Sequence, residues 1–489
     1  MSAIITDILK KQLTQTVFDE ATGVSLRTTD TPHNYYVGIG RSEEWNATET
    51  VPAPTDTPST IRDATSRMQS IKKVEGTSYV IPRFNWTSGT VYTAFNDNVS
   101  AIPSNSYYVL TEENHVYICL QQGKDAAGVP LESVVKPATV DLTKPFKTAD
   151  GYKWKFLYSI SAARAVKFLS SNFVPIQNIL ATRHDSAGID INSAQQKQVD
   201  SAAVPGQILG VELTHKGTGY TSAPAISIVG NGVRADATAF VSGGEVVKIE
   251  MDSTADSCLQ MGQGYTYASV TIGAPNTGTD QAKARVIIGP KEGIGNDPRD
   301  ELKSTSLMFN VKPDGDVEAG SISSKTFLLS KFRQVALIKN PLASDSAAPG
   351  SFFVANSGML LENLFIASSS QANSFTVNTI VTGAGGAKAV IDKVDTTAGF
   401  VPRLVVHQSE DSTGFLPFTN GEAITGPGGG TATLDSAGVS EVNKASGDLL
   451  YIENRAPVER SNAQSEDIKV VITLLINLID IIVLQSFRF

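Results

Sequence analysis

The feature that most constrains this chain is that it repeats itself twice, in short glycine-rich units. Gly217-Thr218-Gly219-Tyr220 returns about 45 residues later as Gly262-Gln263-Gly264-Tyr265. Around these motifs, Val211-Glu212-Leu213 is echoed by Lys248-Ile249-Glu250, and Ala225–Ile228 by Ser269–Ile272. A second duplication sets Thr382–Ile391 against Thr425–Leu434, each opening on a run of glycines. A period of this size is one supersecondary unit per copy. Short apolar runs broken by glycine read as strands joined by tight turns, because glycine reaches the positive φ where a chain reverses. Both stretches are therefore expected to be small β modules, spanning 206–290 and 351–446.

With 489 residues the chain exceeds one ordinary domain. Charged residues make up only 18%, and 40 glycines and 22 prolines accompany them, which fits an all-β chain with many turns. The expected fold class is mainly β and multidomain, with antiparallel sandwich-like domains and a few N-terminal helices. A net charge of -9 without a dense Lys/Arg run argues against nucleic acid as a partner. Two cysteines, Cys119 and Cys258, cannot make a disulfide framework and read as buried thiols. No secretory leader is expected at the N-terminus, where Ile4, Ile5, Ile8, Leu9 and Leu13 have amphipathic-helix spacing. Ile468 to Leu484 is apolar but carries Lys469, Asn477 and Asp480, so no membrane span is expected.

Outside the modules, residues 1–185 read as an N-terminal α+β domain. It contains a strand at Tyr35–Gly40, a proline-rich loop, and a helix over Ser59–Lys73 with Ile61, Met68 and Ile71 on one side. Trp154, Phe156 and Tyr158 alternate along one strand and are expected in the core. Residues 291–350 read as a β-sandwich domain with a hairpin turn at Asp314-Gly315, completed by 447–473. Module 351–446 is then an insertion, and 474–489 is an apolar tail.

Motifs for chemistry are weak. Gly383 to Lys388 lacks the full phosphate-loop pattern and precedes a strand-like segment, so it reads as a turn. The five histidines stand apart, with no metal spacing to each other or to a cysteine. No nucleophile or metalloprotease signature appears, and no cofactor, metal ligand or catalytic residue is assigned. Two polar clusters at strand ends stand out: Arg41, Glu43 and Trp45, with Ser42 between them, and Glu453, Asn454 and Arg455. Together with Arg333 they are the candidate residues, either for a buried charge-assisted network or for an interface with a partner.

Five blocks carry a resemblance. They are YYVGIGRSEEW (Tyr35–Trp45), VIPRFNW (Val80–Trp86), DGYKWKFLYSI (Asp150–Ile160), FRQVALIKNPL (Phe332–Leu342) and GDLLYIENRAP (Gly447–Pro457). In this order they resemble the baseplate wedge protein of T-even-type contractile-tailed bacteriophages. The resemblance implies a virion structural protein without catalysis, homodimeric within the wedge and in contact with other wedge subunits. It would be made in the host cytoplasm and located in the tail baseplate. Both duplicated modules depart from the family pattern, as does the tail beyond Thr473. A different expectation makes the modules receptor- or glycan-binding heads that display Tyr220 and Tyr265.

Overall fold

The computed structural model describes residues 6–22, 33–99, 102, 106–177, 191–251, 260–313, 331–344, 350–460, 465–474 and 479–488. They form a mainly β, antiparallel structure with few helices, as the composition leads one to expect. Two units divide the chain: one holds 1–12, 78–306 and 474–476, the other 13–77, 307–473 and 477–489. Residues 13–77 thus group with 307–473, and the region anticipated as one domain over 1–185 is divided after Thr77.

The first unit is organised by a sheet in which His115–Gln121 lies between Tyr108–Leu110 and Lys153–Ser159. Every residue of Lys153–Ser159 is buried. Trp154 and Phe156 enter a core with Tyr92, Tyr117, Tyr152 and Cys119. On the opposite side of the strand, Lys153 and Lys155 are buried too, and their ammonium groups donate to the carbonyls of Met251 (3.2 Å) and Ile294 (2.6 Å). Such bonds satisfy donors that burial removes from water.

The 206–290 module belongs to this unit, and its two copies interlock. Ile208–His215, which opens the first copy, pairs with Lys283–Ile288, which closes the second. Thr238–Ser242, closing the first, pairs with Glu245–Glu250, opening the second. Between them the equivalent strands Ile226–Gly230 and Ala268–Ile272 pair antiparallel, with Ser227 opposite Thr271. This is a pseudo-twofold arrangement in which neither copy completes its sheets alone. The two tyrosines of the repeat lie inside. Tyr220 is 1% exposed and Tyr265 5%, within one core that includes Ile208, Val246 and Ile272. The Tyr220 hydroxyl donates to the Gly273 carbonyl (3.1 Å) and accepts from the Ala282 amide (2.9 Å), both in the second copy. The expectation of displayed tyrosines is therefore corrected: they tie the halves together.

In the second unit, a five-stranded sheet runs Ser357–Met359, Met68–Lys73, Tyr35–Gly40, Phe332–Lys339, Asp448–Val458. Pairing of Phe332–Lys339 with Asp448–Val458 brings the closing segment onto the third region, so 351–446 is spliced between paired strands. The helix expected over Ser59–Lys73 is corrected: it spans only Pro58–Ser66, and Met68–Lys73 is a strand. Thr57 caps the helix start, accepting from Thr60 N at 3.2 Å, and Pro58 suits its first turn. The three-residue spacing of Met68 and Ile71 mimicked a helix. In fact Met68, Gln69, Ser70 and Ile71 are all buried, because the strand is covered on both faces and loses its alternation.

Within 351–446, residues 362–438 form a closed six-stranded barrel, ordered Glu362–Ile366, Arg403–His407, Lys388–Asp395, Ile380–Gly383, Ala423–Gly426, Gly430–Gly438, while Ser357–Met359 belongs to the five-stranded sheet. The two copies meet where Thr382 pairs with its counterpart Thr425. Leu364, Val381, Ile391, Leu404, Ile424 and Leu434 fill the interior, so the barrel is a packed core. The glycine runs are hairpin turns. The Gly385 amide, which a phosphate would use in a phosphate loop, donates to Glu422 (2.8 Å).

The N-terminal helix is Asp7–Thr22, and its apolar positions Ile8, Leu9 and Leu13 are exposed. No helix among the described residues is long and apolar enough to cross a membrane. In the tail, Ile479–Arg488 is a strand paired with Ser465–Leu474. The expected turn at Asp314-Gly315, the residues of Cys258 and His184, and Ile4 and Ile5 lie outside the described residues.

Candidate functional site: a buried polar network

All seven candidate residues fall in the second unit, at one end of its five-stranded sheet. Tyr35–Gly40 runs out into Arg41, whose φ of 58° is in the left-handed region and turns the chain sharply. Ser42, Glu43 and Trp45 follow in that loop. Arg333 and Gln334 come from the adjacent strand, and Glu453, Asn454 and Arg455 from the strand beyond.

The loop is held at several points. Trp45 donates its indole N–H to the Arg455 carbonyl (2.7 Å), and the Arg41 guanidinium lies 4.2 Å from the Trp45 ring centre. Arg333, almost fully buried, forks onto Glu49 with Nε–Oε2 at 3.0 Å and donates also to the Ser42 carbonyl. The Gln334 amide donates to Asn454 Oδ1 (2.8 Å), and Asn454 donates to the Pro52 carbonyl (3.0 Å). Glu453 accepts from the Tyr451 hydroxyl (2.7 Å) and lies 3.3 Å from Arg455, while burial raises its carboxyl above the usual value.

The centre of the network is a residue the sequence reading set aside. His407, passed over in the sequence for want of metal spacing, is 0% exposed and lies between two carboxylates. Its Nδ1 is 2.6 Å from Asp392 and its Nε2 is 3.3 Å from Glu43. Asp392 also accepts from the Ser42 hydroxyl (2.6 Å). Glu43 in turn accepts from Arg67 Nε (2.6 Å), and Arg67 reaches Asp63, Asp411 and Ser409 as well. Burial by itself would lower the His407 pKa, but Asp392 and Glu43 outweigh it and raise it to about 9. Burial would raise Glu43, but His407 and Arg67 bring it down to about 2. His407 is therefore an imidazolium at neutral pH, and the barrel residues Asp392 and His407 are bound ionically to the loop after Tyr35–Gly40.

A local cause places these groups. Strand Lys388–Asp395 changes register against Arg403–His407 between Ile391 and Lys393, so Asp392 is the extra residue of a bulge. The signal in sequence is faint: Asp392 and His407 each close an apolar run, Ala389-Val390-Ile391 and Leu404-Val405-Val406.

Ser42, Asp392 and His407 are the residue types of an acyl-transfer triad, but their order is wrong for it. The serine hydroxyl is bonded to the aspartate, and both histidine nitrogens face carboxylates. The Ser42 hydroxyl hydrogen-bonds Asp392 and not the imidazole, so His407 is not placed to take its proton. Among the described residues, no group of three or more His, Cys, Asp or Glu could hold a metal ion. What the arrangement does is join an inserted barrel to the sheet through charges that are buried on the barrel side, at Asp392 and His407, and mostly buried at Glu43.

No protein-family profile matches this chain, and no curated protein is similar to it in sequence.

Proposed function

We propose that this protein is a structural subunit of the baseplate wedge in a contractile phage tail. It acts as a homodimer that links neighbouring wedge subunits during assembly and during the rearrangement at infection. The observation that carries this reading is the convergence of separated blocks. Tyr35–Trp45, Phe332–Leu342 and Gly447–Pro457, three of the segments behind the resemblance, supply neighbouring strands of one sheet and share one polar network. Chemistry of that kind holds shape: its charges are spent on each other.

Exposed apolar side chains on ordered elements support a life among partner subunits. Ile8 and Leu13 lie on the N-terminal helix, Val134 and Val140 in a surface loop, and Phe415 and Val439 around the barrel, all more than half exposed. The loop is fastened to its unit, since the Val134 and Val135 amides both donate to Asp150 at 2.9 Å. Reading the modules as display heads for a receptor loses Tyr220 and Tyr265, which are buried, although Tyr267 stays 66% exposed.

Light scattering at micromolar concentration is expected to show a two-chain particle, and purified tail tips are expected to contain the chain. A monomer, or tail tips without it, overturns the reading.

A further inference from the structure

The duplicated module at 206–290 carries its own control, because its two ends are built alike. At one end, Asn231 Oδ1 accepts from the amides of Thr266 (2.9 Å) and Tyr267 (3.3 Å). At the other, Asn276 Oδ1 accepts from the amides of Thr221 (2.9 Å) and Ser222 (3.2 Å). A buried tyrosine, Tyr265 or Tyr220, comes just before each pair of amides. Whatever the fold needs at such an end, either copy supplies it.

The ends differ in what they display. Tyr267 is 66% exposed, Val229 64% and Val233 52%. Their counterparts by position in the repeat are Ser222, Gly273 and Gly278. Val229 pairs with Ser269, and Tyr267, two residues before Ser269, falls on the same outward side of the ribbon. Val233 lies just beyond the Asn231 turn, paired with Gln263. Beside it, Arg234 is exposed and has a left-handed φ of 66°, whereas the second copy places its positive φ there on Gly278 (80°). Glycine takes that backbone without strain and arginine does not. Arg234 makes no ion pair or hydrogen bond among the described residues. Asp236, two positions on, accepts instead from the Ala237 amide (2.8 Å).

Three apolar side chains and a cation thus stand at one end, where the other has two glycines, a serine and a threonine. The fold does not require them, since the opposite end does without. Tyrosine and arginine are the residue types that anchor protein interfaces. Four side chains are far fewer than the roughly 20–30 per side of a stable complex, so the patch suits one contact among several. An uncompensated guanidinium selects a partner that offers a carboxylate. We propose that this end of the module docks onto an acidic segment of a neighbouring wedge subunit, with Tyr267 against its apolar side chains and Arg234 on its carboxylate. This docking rests on the wedge reading above and adds a partner for a part of the chain outside the five resembling blocks.

The test uses the full chain with the photo-crosslinking substitution Tyr267→p-benzoylphenylalanine, assembled into purified tail tips. Illumination is expected to give an adduct with a different polypeptide, at a segment that holds Asp or Glu beside apolar residues. The same probe in place of Ser222, at the matching position of the other end, is expected to give none. Adding Arg234→Glu to the chain with the probe at 267 is expected to lower the adduct yield about tenfold. Tyr267→Ser, which installs the residue used by the other copy, is expected to leave the melting temperature of the free chain unchanged. Equal yields from the two ends, an adduct with a second copy of this chain or with a host glycan, or full yield with Arg234→Glu overturns the docking. A lower melting temperature for Tyr267→Ser overturns it too, because the tyrosine would then serve the fold. Tail tips that lack the chain overturn the wedge reading itself, whereas tips that contain it and give no adduct overturn only the docking.

Discussion

Replacing His407 with alanine is expected to lower the unfolding free energy by about 3–5 kcal/mol, the usual loss when one partner of a buried ion pair is removed. The reason lies in what remains. Asp392 and His407 are both 0% exposed at their side chains, and the imidazolium is within 2.6 Å of Asp392 and 3.3 Å of Glu43. Without it, Asp392 keeps the Ser42 hydroxyl as its side-chain partner among the described residues, and a desolvated acidic group is left without a cation beside it. Urea unfolding at neutral pH measures the loss.

A pH series separates this explanation from simple loss of packing. The folded His407 pKa is raised to about 9, above the ordinary 6.5. Its contribution to stability is therefore complete below about pH 6.5 and disappears as the pH rises through about 9. The size of that change is on the order of 3 kcal/mol. Glu43 has the opposite sign: its pKa is lowered to about 2, so its contribution is present above about 4.5 and is lost as the pH falls toward 2. The parent protein is expected to lose stability between pH 6.5 and 9, and His407→Ala is expected to lose that slope. An unchanged slope in the variant would show that another group titrates there.

The second large effect is in the duplicated module. Gly219→Ala is expected to destabilise the protein by about 2–5 kcal/mol, combining left-handed backbone strain with overpacking. Gly219 has a φ of +85°, and a Cβ built on it would lie 1.8 Å from the Thr277 carbonyl oxygen. That oxygen is main chain and cannot rotate away. Thr277 is moreover tied to Gly219 by an amide-to-carbonyl bond of 3.0 Å. Gly243→Ala is the control: its φ is +62°, but nothing lies within 4 Å of the added Cβ. It is expected to lose only about 1–2 kcal/mol, the strain alone. Comparable losses in the two variants, by urea unfolding, would remove the close approach from the argument.

Gly219 also shows how much of the fold was legible. G-x-G-Y recurs in the sequence, and all four glycines of the two motifs have positive φ: Gly217, Gly219, Gly262 and Gly264. Repetition identified the turns because only glycine takes that backbone without strain. The same motif misled about its tyrosines. Tyr220 is held by the other copy, through the Gly273 carbonyl and the Ala282 amide, and no local pattern reports a partner about 50–60 residues away.

The candidate site divides in the same way. Arg41, Glu43, Trp45, Arg333, Glu453, Asn454 and Arg455 could be chosen from sequence because polar residues at the ends of apolar strands need partners. His407 and Asp392 could not be paired with Glu43 from sequence, since a strand bulge and the seating of the barrel bring them there. Met68–Lys73 shows the limit for secondary structure, because a strand covered on both faces has no alternation to read. By itself, then, the sequence determined the mainly β class, the two duplications and the turns that glycine demands, all of which are local or periodic. Only the tertiary structure decided which strands pair, which tyrosines are inside and which charges neutralise one another. Those outcomes depend on chain segments that meet in space, and desolvation gives a charge its partner only after they have met.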